Sequence, residues 1–254
     1  MSQAVHPVSS FNAVKNIVGR ELSGYFSTPV AWVFIVIFLV MSGVFTFYMG
    51  SFYERGMADL APFFQFHAWL YLFLVPAISM RLWAEERRSG SIELLLTLPL
   101  TIWQAVLGKY LAAWLFIGLA LLLTFPTWLT VNYLGNPDNG SIVTAYIGSW
   151  LMAGGFLAMG SCMSALTRNQ VVAFILSVVV CFGFLLSGLP MVMNVFSGWA
   201  PQSMLDMIAD FSFLARFASI SKGILDLRDM VYFALVIVSW LVANTIVLEF
   251  RKAD

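Results

Sequence analysis

This sequence has little charge: 10% of its 254 residues are Asp, Glu, Lys or Arg, against about 25% in an ordinary soluble domain. Thirteen basic and 13 acidic side chains cannot clothe a water-soluble globule of this length, so lipid must be the solvent for most of the chain. The formal net charge is zero, which leaves no clustered cationic footprint for nucleic acid. Cysteine is nearly absent. Cys162 and Cys181 sit in apolar stretches without the spacing of a metal site or a disulfide framework, and read as small packing residues. The apolar stretches also lack the mid-membrane ionisable groups that an ion-coupled carrier needs. Their one titratable interior group, His67, reads as a packing or interfacial residue. No metal-spaced His/Glu cluster, nucleophile elbow or carboxylate pair is present, so no catalytic, cofactor-binding or metal-binding residue is expected.

What the chain does have is 61% hydrophobic residues, 16% of the total being aromatic. Six charge-free gaps reach 19 residues or more: 22–53, 60–80, 110–137, 139–167, 169–205 and 230–248. A hydrocarbon core about 30 Å thick needs roughly 20 helical residues for one crossing, so each gap accommodates one span. The expected fold is therefore an all-α polytopic membrane protein, one transmembrane domain over 1–254. Its spans are expected near 30–49, 63–82, 106–133, 142–166, 170–189 and 230–249. The second half of the fifth gap is interrupted by Gly188, Pro190, Gly198 and Pro201. A broken, partly re-entrant or interfacial segment over 190–229 is expected there.

Nine cations (Lys15, Arg20, Arg81, Arg87, Arg88, Lys109, Arg168, Arg251 and Lys252) fall on one side of these spans, and Arg55, Arg216, Lys222 and Arg228 on the other. The positive-inside rule then places both termini in the cytoplasm. Phe11, Val14, Val18, Leu22 and Tyr25 recur at helical spacing, which predicts an interfacial helix over 10–28 along the inner membrane surface. Gly148, Gly154, Gly155 and Gly160, with Ser149, Ser161 and Ser164, crowd the fourth span. They suit close helix packing, with a substrate-lining role as the alternative. Pro76 and Pro126 should kink the second and third spans. Leu214, Phe217, Ile220, Ile224 and Leu227 share a helical stripe that predicts an outer helix capping the bundle, or alternatively a surface for an extracytoplasmic protein.

The most polar stretch of the inner face is the loop over 83–104, with Glu85, Glu86, Arg87, Arg88 and Glu93 around a turn at Ser89-Gly90-Ser91. A short helix beginning there, with Ile92 at its start, would place Glu93 where the macrodipole favours an anion, and Pro99 would stop it. Thr101 and Gln104 then form a capping box for the third span. This pattern suits a docking surface and equally a solvated turn.

The run from Glu86 to Pro99, followed by Gly108-Lys109-Tyr110-Leu111, resembles the first cytoplasmic loop of type-2 ABC transporter permeases. The likeness is greatest to the branch containing the gliding-motility-associated permease subunits. Ser91 stands where that branch often has Thr, and Arg216 where a His is expected. A second likeness lies in Phe217 to Phe233, with Gly223, Asp226, Arg228 and Asp229 leading into the last span. The resemblance implies an inner-membrane permease subunit of an ABC-2 exporter in a bacterial cell. A separate ABC ATPase dimer would bind the ATP and Mg, and residues 85–93 would form the ATPase-coupling element. It also implies a second permease, identical or related, and leaves room for an auxiliary envelope protein besides membrane lipid. The alternative is an envelope-anchored subunit that transmits force or serves assembly without moving a solute. No G-x-x-x-x-G-K-[ST] loop occurs, so the chain is not itself expected to be an ATPase.

Overall fold

The computed structural model describes residues 10–92, 100–187, 189–197, 201–224 and 226–251, and all regular structure among them is helical. Helix α1 (Ser10–Ser27) precedes α2 (Pro29–Val44), which Thr28 introduces in extended conformation and a π-helical turn over Phe45–Met49 prolongs. Proline suits the first turn of α2, where its missing N–H would have no intrahelical partner. Next come α3 (Ala61–Gln65), α4 (His67–Ser79) and α5 (Arg81–Ser89), separated only by Phe66 and Met80.

Helix α6 (Ile102–Leu122) begins at the expected capping box. The Gln104 N–H donates to the Thr101 hydroxyl at 3.3 Å, and the Thr101 N–H to the Gln104 side chain at 3.0 Å. Helix α7 (Phe125–Leu134) continues the same hydrophobic rod after a turn at Leu123–Thr124. Pro126 sits in the first turn of α7, so the kink expected of it is a change of helix. Pro76 instead lies within α4, and the interruptions fall at Phe66 and Met80.

Helix α8 (Asn139–Ala165) is the most enclosed rod and forms the centre of the bundle. Its glycines permit this. A Cβ on Gly154 would lie 2.8 Å from both Trp114 and Tyr110, one on Gly148 2.8 Å from Ile220, and one on Gly155 2.9 Å from Phe213. Helix α9 (Gln170–Leu186) follows a short turn capped by Asn169. Three short helices, α10 (Pro190–Ser197), α11 (Gln202–Asp210) and α12 (Phe213–Ile220), lead to the last rod, α13 (Leu227–Phe250).

Four rods are long and apolar enough to cross a membrane: Pro29–Met49, Ile102–Leu134, Asn139–Ala165 and Leu227–Phe250. The other two expected spans correspond to the interrupted series α3–α5 and to α9, an apolar helix of 17 residues. The protein is thus a helical, multi-pass membrane protein.

Two segments differ from their sequence patterns. Helix α12 ends at Ile220, because the chain turns through Ser221–Gly223 with Gly223 at φ +88°. Ile224 and Leu227 therefore leave the stripe that begins at Leu214 and are exposed. Phe213, Ile220 and Gly223 face Gly155, Gly148 and Ser141, so α12 climbs along α8 toward its N-terminal end. Helix α1 matches its expected range, but part of its apolar face is covered by protein: Ile17 sits on Gly108 and Tyr25 stacks on Phe116 at 5.1 Å.

Candidate functional site

One end of the bundle gathers α1, α5, the start of α6, the α8–α9 turn and the end of α13. The sequence expectation of a loop over 83–104 is replaced in part by helix, since Trp83 through Ser89 belong to α5. Leu82, Trp83 and Ala84 are buried, Glu85, Arg88 and Ser89 are exposed, and Glu86 and Arg87 lie between. The anticipated turn does occur at Gly90, whose φ of +74° is the left-handed conformation that ends a helix. The Ser89 hydroxyl donates to the Glu85 carbonyl at 3.0 Å and lies 2.9 Å from Ser91 Oγ, which ties the turn to the helix. Arg87 and Arg88 occupy the last turn, where the helix dipole favours cations. Ile92 packs against the core. Glu93 and the short helix expected to follow it lie outside the described residues.

Beneath α5 is a charge cluster that joins three helices. Lys109 of α6 is 4% exposed, and its Nζ lies 2.7 Å from Glu86 of α5 and 3.2 Å from Glu21 of α1. The same ammonium stands 5.6 Å from the ring centre of Trp83, a cation–π distance. Burial pushes the Glu21 carboxyl up, but Lys109 and Arg20 beside it outweigh this and hold it below the ordinary carboxylate range. The second oxygen of Glu86 is buried without a hydrogen bond.

The outward side of α5 is cationic. Desolvation and the fields of Arg251 and Arg168 lower the pKa of Arg87, which brings together cations from α5, α13 and the α8–α9 turn. Arg87 Nε has no hydrogen-bond partner. Among the described residues, Arg87, Arg88, Arg168 and Arg251 form no ion pair. Glu85 is turned to α9 and accepts from Gln170 Nε2 at 2.5 Å.

A further polar cluster behind α5 had no sequence motif. The Ser164 hydroxyl of α8 accepts the N–H groups of Trp83 and Ala84 at 3.1 Å each and donates to the Met80 carbonyl at 2.9 Å. Ser161 Oγ accepts from Trp83 Nε1 at 3.2 Å and from Asn244 Nδ2 of α13 at 2.7 Å. The usable signal was composition: Asn244 is the single side-chain amide in α13, and Lys109 is the single charge in α6.

The second motif lies at the other end and shapes a corner. Gly223 supplies the positive-φ turn, Asp226 caps α13 by accepting the Arg228 N–H at 2.9 Å, and buried Asp229 accepts from Arg216 at 3.1 Å. Arg216 and Arg228 both reach Asp210, at 2.6 and 3.5 Å. Beside this corner a cavity of about 620 Å³ has an apolar floor including Phe64, Ile142 and Phe217 and a rim with Asp59, Asp138 and Lys222. Among the described residues no group of three or more His, Cys, Asp or Glu could hold a metal ion.

The family model described as "ABC-2 family transporter protein" matches residues 15–248, nearly the whole chain. This protein belongs to the ABC-2 transporter family. A comparison with curated proteins finds no match. As an ABC-2 family membrane protein it is a permease-type subunit, and membership implies partnership with an ABC ATPase.

Proposed function

We propose that this ABC-2 protein is the permease subunit of an ATP-driven exporter, with α5 and the following turn receiving a separate ATPase. Six segments cross the inner membrane in this reading, both termini are cytoplasmic, and two permeases, identical or related, work together. The distribution of cations supports the orientation, since Lys15, Arg20, Arg81, Arg87, Arg88, Lys109, Arg168 and Arg251 all belong to the end that holds α5.

The observation that carries the reading is a cationic surface that forms no ion pair among the described residues, mounted on a short helix braced from below. Arg87, Arg88, Arg168 and Arg251 offer charge complementary to an acidic docking face. The Lys109 cluster keeps α5 from yielding independently of α1 and α6. A load applied by a nucleotide-driven partner would therefore reach the bundle rather than bend the helix alone. Catalysis belongs to the partner, and the chain needs no cofactor of its own.

The test is Arg87→Glu with Arg88→Glu, assayed in proteoliposomes with the cognate ATPase. The double variant should insert normally, since a carboxylate at 87 is attracted by Arg168 and Arg251, yet it should lose ATPase binding and stimulation. Undiminished binding and stimulation would refute the docking assignment. A second reading, in which the chain anchors an envelope assembly and transmits force in the manner of a gliding-motility subunit, draws on the charged-rim cavity at the far end. ATPase stimulation by an envelope protein, without release of any solute, would favour it.

A further inference from the structure

We infer that Trp83, Ser161, Ser164 and Asn244 form a polar strut that carries displacement of α5 sideways into α8 and α13. The inference rests on the docking reading above, because it takes α5 as the element that is pushed.

The first part of the argument is the break at Met80. Helix α5 follows α4 almost without a gap, but the Ser164 hydroxyl takes the N–H groups of Trp83 and Ala84 and gives its proton to the Met80 carbonyl. A serine hydroxyl has one proton and two lone pairs, so this one is fully used at the junction. The start of α5 is thereby fixed to α8, and axial continuity with α4 is weakened where the two helices meet.

The second part is the route onward. From the surface, Glu86 contacts Lys109, and Lys109 stands over Trp83. The Trp83 indole N–H reaches Ser161, and Ser161 accepts in turn from Asn244 on α13. Trp83, Ser161, Ser164 and Asn244 are all essentially inaccessible. Each link joins different helices, so the four residues form one continuous polar path across the bundle.

The third part is an unsatisfied atom. Asn244 Oδ1 is buried and has no hydrogen-bond partner. Leaving a buried acceptor unpaired forfeits its hydration without return, whereas replacing both partners of a buried hydrogen bond by apolar groups of the same shape is often neutral or stabilising. Polar groups at membrane depth are expensive. An arrangement that retains such a cost is suited to two packings of α13 on α8, with the spare acceptor partnered in the second. These are positioning residues, since all four are buried between helices of this chain and act through one another.

The test separates this role from simple support of the fold. In a background with Cys162→Ala and Cys181→Ala, spin labels are placed on exposed positions 81 and 171 at the α5 end, which leaves the four docking cations in place, and on 133 and 227 at the far end. Distances are measured by pulsed EPR in the complex with the ABC ATPase, with and without ATP. In the otherwise wild-type chain both pairs should change distance. In Trp83→Phe with Ser161→Ala and Asn244→Leu, the thermal midpoint should equal or exceed that of the wild type. The near pair should still respond to ATP, and the far pair should lose its response.

A far pair that still responds in the triple variant would overturn the inference and leave the docking reading intact. If ATP moves neither pair in the wild type, the docking reading itself fails. Should the triple variant not assemble, Asn244→Leu and Ser164→Ala singly, read the same way, decide the matter: a retained far-end response in both would overturn the strut.

Discussion

Replacing Lys109 by Met removes the shared cation of the α1–α5–α6 junction while keeping the aliphatic stem. Glu21 and Glu86, 21% and 18% exposed, would then face each other across an apolar pocket with no ammonium between them. Breaking a buried ion pair from one side costs about 3–5 kcal/mol. Because both carboxylates keep some access to water, the lower end applies, about 3 kcal/mol. For a chain of this size that corresponds to a fall of about 6–12 °C in Tm. A fluorogenic maleimide suits the assay at neutral pH, since Cys162 and Cys181, the only two cysteines, are both free and buried until the bundle opens.

A pH series followed by circular dichroism adds a second reading. The folded Glu21 carboxyl titrates below its ordinary value of 4.5. Its stabilising contribution is therefore complete above that value and lost as pH falls through the folded pKa. The wild type should lose Tm on acidification through this range, and Lys109→Met should show a flatter acid limb. Adding Glu21→Gln and Glu86→Gln to Lys109→Met should recover much of the loss, because no unpaired charge remains. A Lys109→Met protein as stable as the wild type, with the same acid limb, would refute the view that this cluster braces α5.

Three further outcomes follow from the packing. Gly154→Val should destabilise by about 1–3 kcal/mol through overpacking, because its Cβ would lie 2.8 Å from both Trp114 and Tyr110; a Tm equal to wild type would mean that α6 can withdraw from α8 without cost. Ser212→Ala should cost about 1 kcal/mol, since Ser212 caps α12 by accepting the Ala215 N–H at 3.2 Å; limited proteolysis of the 197–228 region should quicken accordingly. Asp229→Asn should weaken the far corner while leaving ATPase binding at the α5 end unchanged, because Asp229 holds Arg216 at 3.1 Å and touches nothing near α5; loss of ATPase binding would contradict the separation of the two ends.

The sequence made the scaffold legible wherever a single periodicity or a local signal controlled it. The range of α1, the Thr101–Gln104 capping box and the four long apolar rods follow from such signals. So does the role of the small residues in α8, whose glycines sit directly beneath bulky neighbours. Patterns that depend on tertiary hydrogen bonds were not readable. Trp83–Ser89 looked like loop because its charges dominate the composition, whereas Lys109, from a distant part of the chain, neutralises Glu86 within a helix. The stripe from Leu214 to Leu227 looked continuous, but the positive-φ turn at Gly223 cuts it. Ser161, Ser164 and Asn244 gave no motif, because their meaning lies in contacts between α5, α8 and α13.

The central claim, that a separate ATPase grips the α5 end, is tested most directly by photo-crosslinking. A benzophenone amino acid is placed at exposed position 88, with a control at exposed position 228 on the opposite end. Irradiation in membranes containing the ABC ATPase should give an ATPase adduct from position 88 and none from position 228. An adduct from position 228 alone, or from neither position while the complex still copurifies, would contradict the account.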